Sequence, residues 1–175
     1  MRPYELMRKL RGNAPVPDQR PLLRPATFLK VGTITVSISP SGYAHIRLTV
    51  TDIARSRAFY DDVFGFPVAF QVPPDADEAT RAALGFLYGG VIYKLGEGLF
   101  GLRPVAPAGD RFDEDRVGLD HVSFTLGSRA EIEEAAARLD TLGIAHGGVK
   151  DLGASLILEF RDPDNISLEL FAPAS

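Results

Sequence analysis

The sequence predicts an α+β fold made of two tandem βαβββ units whose helices cover one face of their strands. Three observations carry this. The segment AHIRLTVTDIARSRAFYDDVFGFPV, starting at Ala44, is echoed by DHVSFTLGSRAEIEEAAARLDTLGIAH, starting at Asp120. Both copies open on a strand of alternating polarity, and in both an amphipathic helix follows, stops at a glycine and leads into a second strand.

The elements follow in order. Residues 1–40 form an N-terminal arm interrupted by prolines, with a short turn around Tyr4 to Leu10. A β-like run from Phe28 to Ile38 suits it to a flexible leader or an added edge strand. Residues 41–103 are the first unit. Its opening strand, His45 to Val50, sets Ile46, Leu48 and Val50 on one face and His45, Arg47 and Thr49 on the other. Asp52 can cap the helix that follows, with the stripe Ile53, Phe59, Tyr60, Val63 and Phe64, before Gly65 ends it. The runs Gly85 to Leu95 and Leu99 to Arg103 read as further strands. Residues 104–118, rich in proline, glycine and charge, read as a solvated linker.

Residues 119–175 repeat the plan. His121, Ser123 and Thr125 oppose Val122, Phe124 and Leu126, and Ser128 with Glu131 forms a capping box. The helix stripe is Ile132, Ala135, Ala136, Leu139 and Leu142, before Gly143; Ser155 to Phe160 and Ile166 to Phe171 then read as strands. With helices on the apolar faces, the faces carrying both histidines point away from them.

Composition excludes several function classes. The formal net charge is −4, so no positive field would hold a nucleic acid or an anionic membrane. The absence of cysteine leaves histidine and carboxylates as the strong metal ligands. No window approaches the ~20 apolar residues of a membrane span, and prolines and charges break the stretch a signal peptide would need, so a cytoplasmic protein is expected.

The chain has three histidines, and two of them, His45 and His121, occupy the same place in the two copies. Glu169 lies between Leu168 and Leu170, so its carboxylate shares a face with Ser167 and Phe171. An acid inside an apolar strand needs a partner. Two imidazoles and one carboxylate on facing strands meet that need by holding one divalent cation, Fe, Mn, Zn, Ni or Co, with open positions for water or substrate. Arg47, on the histidine face, is either an anion clamp or an ion-pair partner of Glu169. Glu159 is a candidate general base if it points the same way. Tyr88, Tyr93 and Arg103 read as structural, Arg103 pointing away from the face of Gly101. His146 reads as surface.

The motifs HIRLTV with DIARSRAFYDDVFGF, then LDHVSF, then FRDPDNISLELF, resemble the vicinal oxygen chelate superfamily, the glyoxalase, bleomycin resistance and dioxygenase proteins. They span about Tyr43 to Pro173. The resemblance implies a curved, partly open mixed sheet forming a cup around a metal, with helices outside. Asn165 stands where relatives have glycine, a residue that also tolerates the left-handed region. The glyoxalase branch uses four ligand positions; matching NISLELF to EGLFGLR puts Gly101 at the fourth, so the glyoxalase I proton shuttle lacks one carboxylate.

A His, His, Glu set resembles that of extradiol dioxygenases and fosfomycin thiol transferases. The His and Tyr that serve the former as acid and orienting groups are missing from the corresponding places, near Lys150 to Leu152 and at Glu159, and Arg47 replaces the phosphonate-binding Thr of the latter. The expectation is a metal-dependent enzyme acting on a small substrate through neighbouring oxygens, by lyase, isomerase or ring-cleaving chemistry. The alternative is a non-catalytic drug-binding protein of the same fold. By analogy the site forms either within one chain or across a homodimer.

Overall fold

In the computed structural model, which describes residues 37–175, side-chain parity along the strands separates core from solvent. The order is β1 (His45–Thr49), α1 (Ile53–Val63), β2 (Val68–Gln71), α2 (Glu78–Ala83), a 3-10 turn (Gly85–Leu87), β3 (Val91–Leu95) and β4 (Gly98–Arg103). The second half contains β5 (Val122–Thr125), α3 (Arg129–Thr141), β6 (Lys150–Asp151), β7 (Ser155–Arg161) and β8 (Ser167–Pro173). Two open four-stranded sheets result, in the orders β1-β4-β3-β2 and β5-β8-β7-β6. In each the first strand pairs parallel with the last, and the remaining pairs are antiparallel. The expected arm, residues 1–40, lies outside the described residues apart from its last four.

The helices begin where the sequence marks them. Asp52 accepts a hydrogen bond from the Arg55 amide at 3.0 Å, and Gly65 closes α1 at φ 59°. Ser128 caps α3 by accepting from the Glu131 amide, but the reciprocal bond reaches Gly127 N at 2.7 Å, one residue earlier than a capping box requires. Helix α2 was not foreseen: Asp77 caps it at Thr80 N, yet it buries no residue and so shows no apolar stripe. The stretch expected as one strand from Gly85 is instead a 3-10 turn, followed by Tyr88 (φ 55°) and Gly89 (φ 80°), and β3 begins only at Val91. Gly90 permits this turn, because a Cβ there would lie 1.9 Å from the Leu102 carbonyl oxygen.

The two halves share one core. Leu48, Val50, Tyr93, Phe100 and Leu102 of the first pack with Val122, Phe124, Ile132, Leu139 and Leu158 of the second. Phe124 meets Phe64 at 4.9 Å and Phe100 at 5.6 Å between ring centroids.

A polar joint reinforces that core. In the turn between β7 and β8, Asp162 Oδ1 accepts the amides of Asp164 and Ile166, and its Oδ2 accepts from the buried Tyr60 hydroxyl at 3.2 Å. Asp164 accepts from the Thr51 amide and hydroxyl and pairs with Arg55. Asn165 has φ 70° and donates to the Phe112 carbonyl. Burial pushes the Asp162 carboxyl up to about 6 against the pull of its hydrogen bonds, while burial and the neighbouring aspartates drive the Tyr60 phenol upward.

Candidate functional site

Both sheets turn one face away from the core, and the site residues named from the sequence divide between these faces. His121 immediately precedes β5. Its Nδ1 lies 2.5 Å from Asp120 Oδ1, which assigns the proton to Nδ1 and leaves the Nε2 lone pair directed away. Nε2 lies 3.9 Å from Glu169 Oε1. Glu169 faces Ser123 across the β5–β8 register, and the Ser123 hydroxyl donates to Oε1 at 2.6 Å. The Glu169 side chain is 15% exposed, and His121 is 41% exposed, so this donor pair is open on one side. Glu159 stands across β7 from Glu169, about half exposed, with its carboxylate paired to the Lys150 ammonium.

An imidazole whose Nδ1 is held by a carboxylate, beside a carboxylate held by a hydroxyl, could supply two ligands to one divalent cation. Donors to one ion at ~2.1 Å stand about 3 to 3.5 Å apart, so 3.9 Å closes by a small side-chain rotation. A third ligand from the same chain does not join them, because among the described residues no three of His, Asp and Glu converge.

His45 is on the open face of the other sheet. It lines a cleft of about 210 Å³ with Arg47, Phe86, Ile92, Leu99 and Gly101. Gly101 faces Arg47 in the β1–β4 register, as Glu169 faces Ser123 in β5–β8, so Gly101 does stand at the Glu169 position of the first half. A Cβ at Gly101 would come within 3.2 Å of Arg47 Cγ, so the arginine stem occupies the space a carboxylate side chain would need. The Arg47 guanidinium donates to the Phe86 carbonyl at 3.0 Å and the Leu87 carbonyl at 2.8 Å rather than to Glu169. Arg47 thereby anchors the turn that carries Tyr88.

Of three lesser expectations, those for Arg103 and His146 change and that for Tyr93 stands. Arg103 shares the face of Gly101, since residues two apart in a strand point the same way, and its guanidinium stacks 4.2 Å from the Tyr88 ring centroid. Tyr93 is structural: it is buried and donates to Asp61 Oδ1 at 2.7 Å. His146 is largely covered, its side chain 13% exposed, and it bonds Asp140 and the Gly148 amide. A larger apolar cavity, about 510 Å³, lies beside β5 and α3 among Val63, Phe64, Phe66, Leu95 and Leu139; it contains neither histidine nor Glu169.

The model of the Glyoxalase/Bleomycin resistance protein/Dioxygenase superfamily matches residues 42–170. The uncharacterized protein YaeR of Escherichia coli (strain K12) is 28% identical over 129 residues, 73% of this chain and 92% of YaeR. The glyoxylase/bleomycin resistance protein/dioxygenase domain from Frankia sp. EAN1pec is similar at 28% identity, covering 78% of this chain and 95% of that one, with a TM-score of 0.62. The same fold occurs at 20% identity, with 78% and 95% coverage and a TM-score of 0.59, in a mutant of the fosfomycin resistance protein FosX from Listeria monocytogenes. That protein was crystallised in complex with Mn(II) and 1S,2S-dihydroxypropylphosphonic acid.

Proposed function

The chain belongs to the Glyoxalase/Bleomycin resistance protein/Dioxygenase superfamily, and from that premise we propose that it is a divalent-metal-dependent enzyme acting on a small substrate held through two neighbouring oxygens. The reaction class is a lyase or isomerase step, or ring-cleaving oxygenation. The observation that carries this is the approach of His121 Nε2 to Glu169 Oε1, each held from behind by its own hydrogen-bond partner. We assign His121 and Glu169 of one copy, and His45 of a second copy in a homodimer, as the three protein ligands, since His45 lies on the other sheet's open face.

A cation bound there supplies Lewis acidity to the oxygens it chelates. The remaining work belongs to side chains. Asp120 keeps His121 in the tautomer that presents Nε2, and Ser123 fixes the Glu169 carboxylate. Glu159, one strand from Glu169, is the residue we assign to proton transfer, with Lys150 holding it in place. Arg47 serves the site from the His45 side by fixing the Gly85–Leu87 turn. The FosX relative, with its Mn(II) and a vicinal dihydroxy phosphonate, supports this substrate geometry.

Metal analysis of untagged protein after exposure to Mn(II), Fe(II) or Zn(II) tests the reading. About one equivalent per chain is expected, falling at least tenfold in His121→Ala and in Glu169→Ala. Wild-type protein holding under about a tenth of an equivalent, unchanged by His121→Ala, overturns it. Binding of a small ligand that is indifferent to chelator and leaves the ligand intact would instead mark a sequestering protein.

A further inference from the structure

The open face of the first sheet carries two arginines that its other residues do not neutralise. The Arg103 guanidinium lies over the Tyr88 ring at 4.2 Å, and Arg47 approaches the same ring at 5.7 Å. The Nε atoms of both are buried without a hydrogen-bond partner. Arg47 has two of its N–H groups committed to the carbonyls of Phe86 and Leu87. Arg103 donates no side-chain hydrogen bond and makes no ion pair among the described residues, so its charge is met only by an aromatic face.

A buried, unpartnered N–H on a fixed cation is a standing demand for an acceptor. The arrangement is also built rather than incidental. Tyr88 is held at φ 55° in a turn that only the close approach of Gly90 to β4 allows, and the Leu87 carbonyl of that turn accepts from both Arg47 and the Gly90 amide.

We propose that Arg103, stacked on Tyr88 and backed by Arg47, is an anion-recognition subsite, and that the substrate is a small amphiphilic acid. This rests on the proposed function, because it names what the same open face would hold. The register sets the order of groups along the face. His45 stands beside Leu99; Arg47 is level with Gly101 and Ile92; Thr49 stands beside Arg103. The rungs of His45 and Arg103 are four residues apart, about 13 Å along the strand. Apolar surface from Leu99, Ile92 and Phe86 lines the cleft at the His45 end. A ligand that chelates at the His45 end and places a carboxylate or phosphonate at Arg103 therefore has a short apolar spacer between the two.

The test uses the full chain in excess EDTA, so that its outcome is independent of any metal. Methylphosphonate and acetate are titrated in separate arms while the Nε–H cross-peaks of Arg103 and Arg47 are followed by ¹H–¹⁵N NMR. A saturable shift of both is expected, equal in His121→Ala. Binding at least tenfold weaker in Arg103→Met is expected, near wild type in Tyr88→Phe, and several-fold weaker in Tyr88→Leu. The stronger arm identifies the acid group. Affinity within twofold of wild type in Arg103→Met, or no movement of the Arg103 signal in either arm, overturns the subsite. So does loss of binding in His121→Ala. Because chelator is present throughout, failure of the metal reading would appear in metal analysis and leave this titration unchanged.

Discussion

At the scale of single residues, the two halves of the duplication differ most at one pair of positions. Where the second half has Ser123 beside Glu169, the first has Arg47 beside Gly101. The large residue has moved across the register, and the Arg47 stem fills the volume that a side chain at 101 would take. Gly101→Val should therefore overpack the site and cost about 1 to 2 kcal/mol, and most of that should vanish in an Arg47→Ser background. Urea unfolding of the four proteins in the cycle measures the coupling; additivity within ~0.3 kcal/mol would show that the two positions do not compete for space.

The placement of His45, His121, Glu169 and Gly101 was legible in the sequence because period two and the internal repeat fix both face and register. Arg103 was misplaced by losing one step of that same period. The position of Tyr88 was not legible at all, since it depends on two consecutive positive-φ residues and on backbone contact at Gly90, neither of which leaves a pattern in polarity.

At the scale of elements, the turn between β7 and β8 is the joint that ties the halves together, and it has its own pH dependence. Asp162 is buried, and its carboxyl is raised to about 6 from an unfolded value of about 3.9. A raised acid pKa means that the native state holds the proton more tightly than the unfolded state. This group's contribution is thus most favourable below about pH 4 and is lost as pH rises through about 6, a cost of about 3 kcal/mol at neutral pH. Asp162→Asn keeps Oδ1 as acceptor for the Asp164 and Ile166 amides and can donate from Nδ2 to the Tyr60 oxygen. The variant should equal or exceed wild type in stability at pH 7.5 and lose about half of that advantage by pH 5. Denaturant midpoints at the two pH values check this; a gap that is the same at both would mean that Asp162 titrates normally. The two long helices and most strands could be read from pattern, whereas the 3-10 turn within the expected strand Gly85 to Leu95 could not, nor could α2, because a helix with no buried residue has no apolar stripe to reveal it.

At the scale of the whole molecule, one copy presents an imidazole on one open face and an imidazole–carboxylate pair on the other. If two copies complete each other's sites, two inactive variants should rescue one another. Mixed and refolded His45→Ala and His121→Ala chains would form hybrids in which one site carries both lesions and the other none. Random pairing then restores about a quarter of the wild-type metal content, while each variant alone binds little. No restoration, with hybrids verified by mass, would place all ligands in one chain. No sequence pattern could reveal this, because the periodicities that fix a residue's face say nothing about which copy lies opposite it.

The pairing of each half's first strand with its last also has a consequence for how the chain is made. His45 meets Leu99, 54 residues later, and Val122 meets Leu168, 46 residues later. On a ribosome adding roughly 5 to 20 residues per second, β1 spends several seconds with no sheet partner in existence. During that interval its apolar side can be sheltered only by α1, its immediate successor, and its hydrogen-bonding edge stays open. The β1–β4 and β5–β8 pairings must therefore wait for the last strand of their half, each a ring closure over about fifty residues.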